Sequence, residues 1–107
     1  MVDSGKRKTD NRRISEMRNL GPACEEDLNA VGIHTAQDLL DAGVEGAFLS
    51  ILSRYRQQRL SAKRLNATYL YALFGAIHNI DWREIPEAKK IAFKQFAAEI
   101  RQTRHLR

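Results

Sequence analysis

Residues 65–78, LNATYLYALFGAIH, place apolar side chains on nearly every face of the helix they would form. Such a helix cannot lie on a surface, so other helices must surround it. Its apolar stretch, Ala67 to Ile77, is about half the roughly 20 residues that cross a bilayer, which makes it a bundle core and not a membrane span. Leu73, near its middle, is predicted to be fully buried. Gly75 and the neighbouring alanines are predicted to let another helix approach closely. No stretch alternates apolar and polar residues with a period of two, so no sheet is expected.

Periodicity and chain punctuation place the remaining elements. Asp10 suits the N-cap of a first helix to about Met17, with Ile14 and Met17 inward. Gly21 and Pro22 then break the chain, Pro22 opens a second helix, and Gly32 closes it after Val31. Thr35 and Asp38 have the spacing of a capping box at the start of a third helix, which ends before Gly43. Val44, Ala47, Phe48, Ile51, Leu52 and Tyr55 form the apolar stripe of a fourth. Beyond the central helix, Asp81 caps a turn carrying Trp82, expected to plug a gap between helices. Pro86 opens a last helix to about Thr103, with Ala88, Ile91, Ala92, Phe96 and Ile100 inward and Phe93 off the stripe. The expected fold is all-α, one compact bundle of five to six helices with a helix-hairpin-helix-like (SAM-like) core over residues 10–107. A basic, flexible tail is expected over residues 1–9.

Charge is segregated along the 107 residues, and the formal net charge of +5 hides this. Residues 1–24 hold six bases and three acids, for +3. Residues 25–45 hold six acids and no lysine or arginine, for −6, and residues 46–107 hold twelve bases and four acids, for +8. With Cys24 as the single cysteine, no internal disulfide can form, which suits a reducing cytoplasm.

Two segments are candidates for binding. Asn19, Leu20, Gly21 and Pro22 outline a hairpin of the kind that offers backbone N–H groups at a helix start to phosphates. Asn19 stands where a first glycine is expected, and Glu25, Glu26 and Asp27 form an acidic face directly after the turn. Because electrostatics dominates non-specific nucleic-acid affinity, these acids oppose a phosphate there, although they complement the helix dipole. Arg54, Arg56, Arg59, Lys63 and Arg64 form the second candidate, able to meet nucleic acid or an acidic protein surface, although a solvated helix end and loop gives the same pattern. Tyr55 and Tyr69 belong to inward stripes, which weakens any base-stacking role. Cys24 reads as a small core residue. His34, His78 and His105 show no metal-ligand spacing, and no phosphate loop, dinucleotide fingerprint or nucleophile elbow is present. Neither a catalytic residue, a metal nor a cofactor is expected.

The strings Arg18-Asn19-Leu20-Gly21-Pro22, Val31-Gly32-Ile33-His34-Thr35 and Asp38-Leu39 resemble the C-terminal domain of the TfoX/Sxy family. Leu65-Asn66, Leu70-Tyr71-Ala72-Leu73, Gly75-Ala76 and Asp81-Trp82-Arg83-Glu84-Ile85-Pro86 continue the resemblance in the same order. It implies a small helical domain, here expected to stand alone without the family's N-terminal domain. The family includes bacterial competence regulators, so the leading expectation is a non-enzymatic cytoplasmic module that contacts a protein, with transcription machinery as the candidate partner. Direct DNA binding through Arg54 to Arg64 is the alternative. A homodimer using a strip that includes Phe93 is a third expectation, and no membrane partner is expected.

Overall fold

The computed structural model describes residues 9–103. The tail expected over residues 1–9 lies outside these residues except for Thr9, and so does His105. Within them are four α-helices, α1 (Pro22–Ala30), α2 (Ala36–Gln57), α3 (Ala67–His78) and α4 (Glu87–Thr103), and two single 3-10 turns, Ile14–Glu16 and Trp82–Glu84. Five to six helices with a helix-hairpin-helix-like core were expected, and this count corrects that reading in two places.

The first correction concerns Asp10 to Met17, which contribute only the Ile14–Glu16 turn. The carbonyl groups of Asp10 and Arg12 are engaged elsewhere, accepting from the backbone N–H groups of Gln37 (2.8 Å) and Ala36 (2.9 Å). Those N–H groups belong to the first turn of α2, which has no intrahelical acceptors for them. The N-terminal segment therefore runs extended against the start of α2, bridging Arg13 to Thr35, and caps a helix where it was expected to form one. The second correction is that the expected third and fourth helices form one element. Its backbone leaves helical values only at Gly43 (φ 79°, ψ 168°), a conformation a side chain would strain. The start of α2 is as predicted: the Thr35 side chain accepts from the N–H of Asp38 at 3.2 Å, and Asp38 returns the bond to Thr35 and His34.

The central helix is where the sequence placed it. α3 packs against α2, α4 and the Trp82–Glu84 turn, and Leu73 is completely buried. Phe48 of α2 meets the rings of Tyr69 and Phe96, each 6.2 Å away between centroids. Asn66 caps α3 by accepting from Thr68 and Tyr69. At the other end Asn79 adopts the left-handed conformation, and Ile80 donates back to the Gly75 carbonyl at 2.9 Å.

Gly75 does admit a close neighbour, but the neighbour is not a helix. A Cβ there would collide with the Asn19 side-chain amide and lie 2.6 Å from the Ile80 carbonyl oxygen. The Asn19 amide donates to that same carbonyl at 2.9 Å, joining the hairpin before α1 to the end of α3.

The inward stripe of α4 is also shifted from the expected one. Phe93 is only 4% exposed while Ile91 is 47% exposed, and Ala88 and Ala92 also face outward. Phe93 meets the rings of Phe74 (5.6 Å) and Tyr71 (6.3 Å), and Lys89 and Lys90 lay their ammonium groups over these aromatics. Phe93, which the expected homodimer strip included, is thus part of the core. Trp82 stacks on Tyr71 at 6.5 Å with the rings 10° from parallel, leaving its other face partly open.

Candidate functional site

The last turn of α2 sets the direction of the basic segment. Arg59 takes the left-handed conformation (φ 58°) usually given to glycine, and Leu60 donates to the Tyr55 carbonyl at 2.9 Å, closing the helix end. The chain then turns back over the bundle, which divides the five basic residues among different neighbours.

Arg64 is drawn inward by Asp27, a carboxylate on α1 that is only 6% exposed. Arg64 Nη1 donates to Asp27 Oδ2 at 2.6 Å and to Tyr55 Oη at 2.9 Å. Tyr55 Oη donates to Asp27 Oδ1 at 2.8 Å, and Tyr69 Oη donates to Oδ2 at 2.9 Å. The guanidinium also lies 5.4 Å from the centre of the Tyr69 ring. One carboxylate thereby ties together α1, α2, the segment after α2 and α3. Burial, followed by the adjacent Asp27 carboxylate, pushes the Tyr55 hydroxyl pKa upward. That of Tyr69 is pushed up by burial first and then by Cys24 and Asp27.

Arg56 turns toward α4. Its Nη2 donates to the Ile100 carbonyl of α4 in a long bond of 3.3 Å, and its buried Nε has no hydrogen-bond partner among the described residues. With Lys63 and Arg101 it borders a groove of about 490 Å³ between α2, the segment after it and the end of α4, floored by Leu52, Leu65 and Ile100. Arg54 instead faces a shallow depression against Ala30 and Val31 of α1. Arg59 and Lys63 are exposed. Arg54 and Lys63 thus border different concavities.

In the segment Asn19 to Asp27 the acids are not all outward. Asn19 fills the glycine-like position with φ 73°, Leu20 is buried, Gly21 is the N-cap of α1 and Pro22 is its first residue. Glu25 folds back, its carboxylate accepting from the backbone N–H of Ser15 at 3.2 Å. Asp27 is buried and paired with Arg64, which leaves Glu26 as the outward member of the expected acidic face. Spacing could not reveal this, because position 27 turns inward only through partners 28, 37 and 42 residues away.

Cys24 is half-buried against the core, and His78 lies 4.2 Å from the Phe74 ring. Among the described residues, no group of three or more His, Cys, Asp or Glu is placed to hold a metal ion, and no helix is long and apolar enough to cross a membrane. The sequence reading missed Leu60, which stands 45% exposed at the groove's edge, and Lys94 and Arg101 of α4. Leu60 carried a signal as an isolated apolar residue among charges. The α4 residues carried none, since only the packing of α4 brings them to this side.

Residues 10–97 match the family described as TfoX C-terminal domain. Two crystal structures of Listeria monocytogenes proteins are similar to this chain. One is an uncharacterized protein in a triclinic form, with 36% identity, a TM-score of 0.73, and coverage of 83% of this chain and 93% of that one. The other is a protein of unknown function in a tetragonal form, with 37% identity, a TM-score of 0.68, and coverage of 81% and 98%. No curated protein matches the chain significantly.

Proposed function

The chain belongs to the TfoX C-terminal domain family, and from that premise we propose that it is a non-enzymatic adaptor of the bacterial cytoplasm that works through protein contacts. A component of the transcription machinery is the first candidate partner, by analogy with the regulators of the family. The observation that carries this reading is the capture of Arg64 by Asp27 and of Arg56 by the Ile100 carbonyl. A protein that tracks a phosphate backbone needs several uncommitted cations along one face, since each phosphate contact contributes by releasing counterions. Here two of the five candidates are engaged internally, and Arg54 faces a different wall from Lys63. The exposed leucines Leu49 and Leu60 are suited to protein contact and offer nothing to a duplex.

Two measurements test the proposal together. A duplex oligonucleotide titrated at rising salt should bind weakly, with a shallow salt slope that replacing Arg54, Arg59 and Lys63 by alanine barely changes. A photo-crosslinking amino acid at Leu49 or Leu60, introduced in the native cell, should yield protein adducts. Tight duplex binding at roughly 0.15 M salt that collapses in the alanine variant, or adducts to nucleic acid, would refute the reading.

A further inference from the structure

We infer that the cleft between the end of α2 and the outer face of α4 receives an acidic, amphipathic peptide segment of a partner protein. This rests on the protein-contact reading and specifies its surface and the partner's chemistry.

The cleft is extended. The groove of about 490 Å³ shares Ala97 and Arg101 with a second concavity of about 310 Å³, bounded by Ala67 and Ala98. Two hollows in series along one helix suit a length of polypeptide better than a compact small molecule. The alanines let a partner's backbone lie close, while half-buried Ile100, above the buried Leu52 and Leu65, gives the floor an apolar character. Leu60, nearly half exposed at the edge, is placed to close over the partner's side chains.

The charge around this floor has one sign. Arg56, Lys63 and Arg101 line the larger hollow, Lys94 and Arg101 line the smaller, and among the described residues no acidic side chain lines either. The N-terminus of α3, at Asn66 and Ala67, adds its positive dipole end to the smaller hollow.

Alternative occupants fit less well. The chain's own ends carry like charge. Residues 1–8 have three bases and one acid, and residues 104–107 have two bases and no acid. A nucleic-acid backbone could meet the cations, but it brings no aliphatic groups to the floor, and among the described residues no exposed aromatic ring in the cleft offers stacking. A helix with leucines at i, i+3, i+4 and i+7 and glutamates beside them answers both the floor and the rim.

The test uses the full chain and a fluorescein-labelled synthetic helical peptide of that design, followed by anisotropy. Its counterpart with every glutamate replaced by lysine and a single-stranded oligonucleotide serve as competitors. Saturable binding with a dissociation constant on the order of micromolar is expected for the acidic peptide, with no displacement by either competitor. Leu60→Glu and the double variant Lys63→Glu/Arg101→Glu alter exposed side chains. Each should weaken binding about tenfold or more with an unchanged circular dichroism spectrum, since like charges placed together in an interface are strongly unfavourable. Added salt should weaken the wild-type complex only in part, because the apolar floor persists.

Absence of saturable binding, variants within twofold of wild type, or displacement by the lysine peptide or the oligonucleotide overturns the inference. If the peptide fails while crosslinks at Leu49 still reach a protein, only the cleft assignment falls. Crosslinks to nucleic acid remove both readings.

Discussion

Replacing Asp27 by leucine should destabilise the domain by about 3 kcal/mol, and the reason lies in what is left behind. The substitution leaves the hydroxyl donors of Tyr55 and Tyr69 with no acceptor where Oδ1 and Oδ2 stood. A buried donor stripped of its partner costs about 1–3 kcal/mol, so two of them cost about 2–6 kcal/mol. Losing the Arg64 pair adds little. That side chain is 43% exposed and can rehydrate, so its Coulombic contribution is discounted as a surface pair's would be. Removing the buried carboxylate also removes its own desolvation cost, which brings the expected loss to the lower half of that range. Urea denaturation monitored through Trp82 fluorescence measures it. The decisive comparison is the triple variant Asp27→Leu/Tyr55→Phe/Tyr69→Phe. Once the orphaned hydroxyls are gone, it should recover at least about 1 kcal/mol relative to the single variant. A triple variant no more stable than Asp27→Leu alone would show that unsatisfied hydroxyls are not the source of the loss.

Three further outcomes are expected. Leu73→Ala, at the fully buried centre of α3, should cost about 2–5 kcal/mol, and an unmoved denaturation midpoint would contradict its placement. Gly75→Ala should cost about 1–3 kcal/mol by driving a methyl group against the Asn19 amide and the Ile80 carbonyl, with partial rescue on adding Asn19→Gly as seen by thermal melting. Stability should also fall as pH rises above about 10. Tyr55 and Tyr69 have raised pKa values in the folded state, so the unfolded chain releases their protons first and is favoured there. A series of urea midpoints across alkaline pH should lose part of this slope in Tyr55→Phe/Tyr69→Phe.

The sequence by itself determined the helical class, the central α3, the Thr35–Asp38 cap and the inward set of α2. Each rests on local rules, meaning the period of apolar residues and the hydrogen-bonding needs of a helix end, which a few consecutive residues satisfy. It also marked the hairpin at Asn19 to Pro22 and the basic run from Arg54 to Arg64 as places to look. Tertiary structure decided what those residues face. Asp10 to Met17 have helical spacing, yet two of their carbonyl groups are taken by the unpaired N–H groups of α2, which a local reading cannot weigh. On α4 several stripes are about equally apolar, and contact with Phe74 and Tyr71 selects the one containing Phe93. Asp27 and Arg64 lie in segments of opposite net charge and read as two separate surfaces. Folding brings them within 2.6 Å, where the guanidinium offsets part of the cost of burying the carboxylate beside two tyrosine hydroxyls. Charge along a chain is fixed by its order, but the face on which a charge appears is fixed by partners that only packing supplies.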